Sequence, residues 1–182
     1  EACKEKTERD RRRGIKNRPV RAMVAGIPNV GKSTFINSLV GKACTKTGNK
    51  PGVTKGKQWI KLNKNIELLD TPGILWPKFE DQEVARKLAF TGAVKDDILD
   101  IEALASLLLE NLSSLYPQAL EERYKIDTQG TGFELLENVG RKRGMLVSGG
   151  EVNTERAAIT VLDEFRSGKL GRLTLELPAE VQ

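Results

Sequence analysis

Gly26, Gly31, Lys32 and Ser33 fill the spacing G-x-x-x-x-G-K-[ST] inside Arg-Ala-Met-Val-Ala-Gly-Ile-Pro-Asn-Val-Gly-Lys-Ser-Thr, which occupies residues 21–34. This is the pattern of a phosphate-binding loop. Residues 20–25 form a short apolar run with β-branched valines, which predicts a buried strand. Residues 34–40 carry Phe35, Ile36, Leu39 and Val40 at helical spacing, so the loop should join a strand to a helix N-terminus. Such a junction aims several backbone N–H groups and the positive end of a helix dipole at one point, where a di- or triphosphate can sit. Lys32 would reach the β- and γ-phosphates, and the Ser33 hydroxyl would ligate Mg²⁺. The candidate nucleotide-binding residues are therefore Asn29, Val30, Gly31, Lys32, Ser33 and Thr34. The chain binds a nucleotide or descends from one that did.

A second motif strengthens the first. Residues 58–62 and 66–70 read as two strands of an antiparallel hairpin joined by Asn63-Lys64-Asn65, and the second ends in Asp70-Thr71-Pro72-Gly73. A carboxylate at the end of that strand suits Mg²⁺, a hard cation that takes oxygen ligands and keeps several waters. Gly73 joins the nucleotide-binding set. Between the motifs, residues 41–56 form a long polar loop rich in Lys, Thr and Gly, with Pro51-Gly52-Val53-Thr54 inside it. Loops of this length are usually functional or mobile. Thr54 is the candidate switch residue, able to close onto Mg²⁺ and the γ-phosphate and to release after hydrolysis. Lys32 and Thr54 are the candidate catalytic residues, and Ser33, Thr54 and Asp70 the candidate Mg²⁺ ligands.

Bulk properties restrict the alternatives. With 182 residues, 38% hydrophobic and 30% charged, the sequence reads as globular, one medium domain or two small ones. No apolar run approaches the ~18 residues a membrane helix requires, so no membrane partner is expected. The two cysteines, Cys3 and Cys44, have no metal or redox spacing, and a cytoplasmic location is expected. Histidine is absent, which excludes a histidine base or ligand from these residues. Residues 1–21 hold nine Lys/Arg against four Asp/Glu, the whole +5 excess, so nucleic-acid contact must be argued from local patches.

Two domains are expected. Residues 1–81 hold the partial P-loop domain, opened by a basic, charge-laced helix within residues 1–18 that ends near Gly14. Beyond the apolar connector at residues 74–79, residues 82–182 read as a small all-α domain. Helices are predicted over 84–94, over 101–115 with a stop at Pro117, over 118–124, over 133–139, and after an Asn153 N-cap with Gly168 past the end. Two basic clusters in this domain, Arg141-Lys142-Arg143 and Arg166 with Lys169 and Arg172, are candidate RNA phosphate contacts.

The Asn/Thr-Lys-x-Asp motif that reads guanine in P-loop GTPases is missing. Tyr124-Lys125-Ile126-Asp127 has the wrong first residue and follows no strand-like segment. Three predicted strands also fall short of the usual six.

Taken together, Gly26-Ile-Pro-Asn-Val-Gly-Lys-Ser-Thr34, Pro51-Gly-Val-Thr54, Asp70-Thr-Pro-Gly-Ile-Leu-Trp-Pro-Lys-Phe79, Thr91-Gly-Ala93 and Gly168-Lys-Leu-Gly-Arg172 resemble the circularly permuted GTPases of the ribosome biogenesis GTPase A (YlqF/RbgA) family. In that family the base-reading half precedes the phosphate loop, so the resemblance implies a fold class of α/β P-loop NTPase with a partial, circularly permuted sheet, followed by an all-α domain. It further implies a monomeric cytoplasmic GTPase that takes GTP or GDP with Mg²⁺ and binds the precursor of the large ribosomal subunit. The helical domain would contact its rRNA. Asn29 matches an asparagine that in similar GTPases helps hold K⁺, a cation that would offset transition-state charge. Ile74 stands where many GTPases carry a water-orienting Gln, so it is not a catalytic candidate. The family's N-terminal segment contributes a histidine thought to act in hydrolysis, and these residues contain none. Two other readings stand beside this one: a non-enzymatic RNA-binding protein with a vestigial nucleotide fold, and a P-loop ATPase.

Overall fold

The computed structural model describes residues 3–15, 18–42, 44–45, 56–75 and 80–176. The chain divides into two compact units, Glu1–Trp76 and Pro77–Gln182.

The first unit opens with helix α1, Lys4–Arg12, which buries no residue and ends at Gly14 with φ +73°. Nine residues with no apolar stripe cannot be held by packing, so charge and solvent dominate this helix. Strand β1, Val20–Val24, follows, then helix α2, Lys32–Val40, and the hairpin β2, Gln58–Asn63, with β3, Ile66–Asp70. The sheet order is β1-β3-β2, with β1 parallel and β2 antiparallel to β3. The expectation of a buried β1 fails. Val20 and Val24 are half-buried, while Met23 is 65% exposed and Arg21 is exposed. Alternation along the strand places Arg21 and Met23 opposite Val24, and the Val24 side packs on the cluster of Ile36, Ile60 and Leu68. That cluster is small: one α2 residue seated on two strands.

The second unit is helical. Its elements are α3, Gln82–Phe90; a 3₁₀ turn, Asp96–Ile98; α4, Ile101–Leu115; α5, Pro117–Tyr124; α6, Gly132–Lys142; and α7, Thr154–Arg166. Helix α4 is central, burying Leu104, Ala105, Leu108, Leu109 and Leu112 against α6 and α7. The expected helix over 84–94 shifts to 82–90. Asp81 caps it by accepting from the Glu83 and Val84 N–H groups, and Gly92 at φ +72° follows its end. Pro117 not only ends α4 but starts α5 at the first helical position, where its missing N–H costs nothing. Helix α6, Gly132–Lys142, runs past the expected residues 133–139, and its start is fixed by a reciprocal capping box between Thr131 and Glu134. Asn153 caps α7 as expected, its side chain accepting from the Arg156 N–H at 2.9 Å.

The basic clusters of this unit are thinner than the sequence suggests. Arg166 is 7% exposed, pairs both guanidinium ends with Asp96 at 2.7 and 2.8 Å, and also donates to the Phe90 and Ala89 carbonyls. It fastens α7 to the end of α3 and has nothing left for a phosphate. Arg143 is drawn to the buried Glu164 at 3.4 Å and lies over the Tyr124 ring.

Candidate nucleotide site

Two strand ends meet at the site. The parallel register sets Val24 beside Asp70, so the loop leaving β1 and the residues leaving β3 emerge together. Three contacts tie them. The Thr71 hydroxyl donates to the Val24 carbonyl at 2.8 Å, and the Ile74 N–H donates to the Gly26 carbonyl at 3.3 Å. Gly73 lies so close to the loop that a Cβ there would stand 2.4 Å from Pro28 Cα and 2.5 Å from Pro28 N. A side chain at 73 would push backbone against backbone, which gives this glycine a steric reason.

The loop itself turns through two left-handed residues, Asn29 at φ +58° and Gly31 at φ +87°. Gly31 then caps α2. Such alternation of backbone sense turns successive N–H groups toward one side, the concave arrangement that accepts anions. Gly26 is less constrained, since a Cβ there would meet nothing nearer than 3.5 Å. Lys32 folds back over the loop and donates to the Gly26 carbonyl at 3.0 Å and the Ile27 carbonyl at 2.7 Å. Partial burial pulls its pKa below the ordinary lysine value, and the Asp70 charge pulls it back up.

Ser33 and Asp70 are brought together across 37 residues of sequence. The Ser33 hydroxyl donates to one Asp70 carboxylate oxygen at 3.4 Å. Asp70 is 1% exposed, and its other oxygen has no hydrogen-bond partner among the described residues. A buried carboxylate oxygen without a partner is costly, and the cost vanishes when a cation or its water shell supplies the missing donor. Among the described residues no three His, Cys, Asp or Glu side chains converge. One carboxylate and one hydroxyl fit a hard divalent ion that keeps most of its waters, and they do not fit a closed all-protein cage. Val30 and Thr34 are exposed on either side of Gly31-Lys32-Ser33. Thr54 lies outside the described residues.

One contact beside the site escaped sequence reasoning. The Asn37 side-chain oxygen accepts from the Cys44 N–H, the Thr45 N–H and the Thr45 hydroxyl at 3.0, 2.9 and 2.9 Å, while its NH₂ donates to the Thr45 carbonyl at 2.9 Å. The Thr45 hydroxyl also reaches the Ser33 carbonyl at 3.1 Å. Asn37 thus fastens the chain leaving α2 to the helix that carries Ser33. The available signal was an asparagine in mid-helix, where it is unfavourable unless its side chain is used.

A strand, a glycine-turned loop whose lysine curls back over it, a helix, and an aspartate at the neighbouring strand end define a P-loop nucleotide-binding protein. Residues 21–129 match the family model described as 50S ribosome-binding GTPase. The chain belongs to that family. It is 49% identical to the ribosome biogenesis GTPase A of Bacillus cereus over 178 residues, 97% of this chain and 60% of the relative. The homologous protein of Priestia megaterium is 48% identical over 184 residues, 100% of this chain and 64% of the relative. The chain thus spans about three-fifths of the length of these curated relatives. Among solved structures, GNP-bound YlqF from T. maritima aligns with a TM-score of 0.59 at 28% identity, covering 96% of this chain and 66% of that one.

Proposed function

We propose that the chain binds GTP and GDP with Mg²⁺, hydrolyses GTP, and acts in the cytoplasm as a monomeric assembly factor for the large ribosomal subunit. The observation that carries the nucleotide part is the meeting of Ser33 with a buried, half-unsatisfied Asp70 at the mouth of the loop. The family and the ribosome biogenesis GTPase A relatives support the ribosomal part.

In this reading the N–H groups of residues 29–34 hold the β-phosphate. Lys32 leaves the Gly26 and Ile27 carbonyls to meet the γ-phosphate, exchanging two neutral acceptors for a charged one. Ser33 ligates the metal directly and Asp70 orients its water shell. When bound, Mg²⁺ neutralises charge on the β- and γ-oxygens as the phosphoryl group transfers. Gly73 keeps the Asp70 loop against the phosphate loop, within reach of the γ-phosphate. Thr54 supplies the hydroxyl that responds to the γ-phosphate, and Asn29 contributes a K⁺ contact beside it. The GTP state then favours the ribosomal particle, and hydrolysis releases it.

The test is co-sedimentation of the chain with large-subunit precursor particles in GDP and in a non-hydrolysable GTP analogue, with K⁺ or Na⁺ present. Tighter association with the analogue is expected. Weaker association with the analogue than with GDP would overturn the order proposed.

A further inference from the structure

The charge of this protein is divided unevenly between its units. Glu1–Trp76 holds 17 Lys and Arg against 6 Asp and Glu, a net +11, whereas Pro77–Gln182 holds 13 against 19, a net −6. The positive potential belongs to the nucleotide unit. The helical unit, where the resemblance places RNA contact, is acidic, and three of its arginines are spent internally: Arg123 and Arg143 on Glu164, and Arg166 on Asp96.

Within the nucleotide unit, four exposed cations that form no ion pair among the described residues line two adjoining grooves. One, of about 480 Å³, lies between α1 and the entry to β1, with Lys6, Asp10, Arg11, Arg18 and Arg21 on its walls. The other, of about 660 Å³, shares Pro19 and Asn65 with it and is bounded by Lys61, Asn63, Lys64 and Glu67, the last paired with Arg21. Arg18 is paired with Asp10 at 3.7 Å and Arg21 with Glu67 at 3.0 Å. Lys6, Arg11, Lys61 and Lys64 are exposed and form no ion pair among the described residues. On the same sheet the Arg21 guanidinium lies 4.8 Å over the ring of Trp59, which is 50% exposed.

We propose that this surface, formed by α1 and the β2–β3 hairpin, is where the chain holds the phosphate backbone of RNA. The proposal rests on the reading that the chain meets a ribosomal particle. Lys6, Arg11, Lys61 and Lys64 supply the counter-charge, and the side-chain amides of Asn63 and Asn65 supply neutral donors suited to phosphate and sugar oxygens. The half-exposed Trp59 ring beside Arg21 adds a flat aromatic face on which an unpaired base can stack.

The test compares Lys6→Gln/Arg11→Gln/Lys61→Gln/Lys64→Gln with Lys142→Gln/Lys169→Gln/Arg172→Gln, a control that removes exposed cations of the helical unit. Affinity for a fluorescent single-stranded RNA of mixed sequence is measured at several salt concentrations, with polyglutamate as competitor. The first variant should bind about 10-fold or more weakly, and its salt slope should fall by about 3, the loss of four phosphate contacts on a single strand. The control should lie close to the unmodified protein. Equal losses in both variants, or no loss in the first, would overturn the proposal, and displacement by polyglutamate as effective as by unlabelled RNA would reassign the surface to an acidic protein. Labelled GDP binding is followed in parallel. In the unmodified protein, RNA binding without GDP binding would contradict the nucleotide reading alone, and GDP binding without RNA binding would contradict this surface alone. The first variant should keep its GDP affinity.

Discussion

Single residues decide how closely the two halves of the nucleotide site meet. Gly73 has no room for a methyl group, because Pro28 backbone atoms lie 2.4 and 2.5 Å from where its Cβ would be. Gly26 has room. Gly73→Ala should therefore cost at least 10-fold in labelled GDP affinity while Gly26→Ala leaves the fold intact by circular dichroism, a loss of about 1.4 kcal/mol or more. Unchanged GDP binding by Gly73→Ala would contradict the packing described. In the helical unit, Glu164 is buried between Arg123 and Arg143 and beside the Tyr124 hydroxyl. The Arg123 hydrogen bond holds its pKa below the usual carboxylate range against the opposing effect of burial. Burial, with Glu164 second, holds the Tyr124 hydroxyl well above its ordinary value. The folded Glu164 pKa is depressed, so its stabilisation is complete above the unfolded value of 4.5 and is lost as pH falls through the folded value. Glu164→Gln should melt lower than the unmodified chain at pH 7, and the difference should shrink as the pH drops below 4.5. A difference independent of pH would show that the carboxylate charge is not what holds the three helices together.

Among the elements, those with local rules were legible and those set by neighbours were not. The phosphate loop, the hairpin and the Asn153 cap all follow from short spacings, and each stands where the sequence put it. The exposure of β1 could not be read, because its Val-Arg-Ala-Met-Val run looks the same whether both faces or one is covered. The Arg166 and Arg143 ion pairs were equally illegible, since their acidic partners lie 70 and 21 residues away. For the site, the motif residues Lys32, Ser33, Asp70 and Gly73 were legible as types, whereas the Asn37–Thr45 clasp needed the fold to bring it together. Helix α6 carries the clearest packing constraint. A Cβ on Gly132 would stand 2.0 Å from the Ser106 carbonyl oxygen of α4, so these helices touch through backbone. Gly132→Ala should destabilise the helical unit by about 1–3 kcal/mol, a fall of roughly 4–8 °C in Tm per kcal/mol for a domain of this size. An unchanged Tm would mean that α4 and α6 can separate without cost.

As a whole, the molecule combines two cores of unequal size. The helical unit buries leucines from most of its helices in one cluster, while the nucleotide unit rests on Ile36, Ile60 and Leu68. Two thermal transitions are expected, the lower from the nucleotide unit, and GDP with Mg²⁺ should raise that one alone by mass action. A single transition that moves as a block would contradict this. Charge is divided as unevenly as the cores, with the basic excess on the unit that carries the phosphate site. The most direct measurement is a fluorescence titration with labelled GDP and labelled ADP, each with Mg²⁺ and each with EDTA. Mg²⁺-dependent GDP binding that is lost in Lys32→Ala and Ser33→Ala is the predicted result, with little preference over ADP, since no Asn-Lys-x-Asp motif stands in these residues to read guanine. GDP binding that survives both substitutions, or no binding at all, would contradict the nucleotide site built here from Gly26, Lys32, Ser33, Asp70 and Gly73.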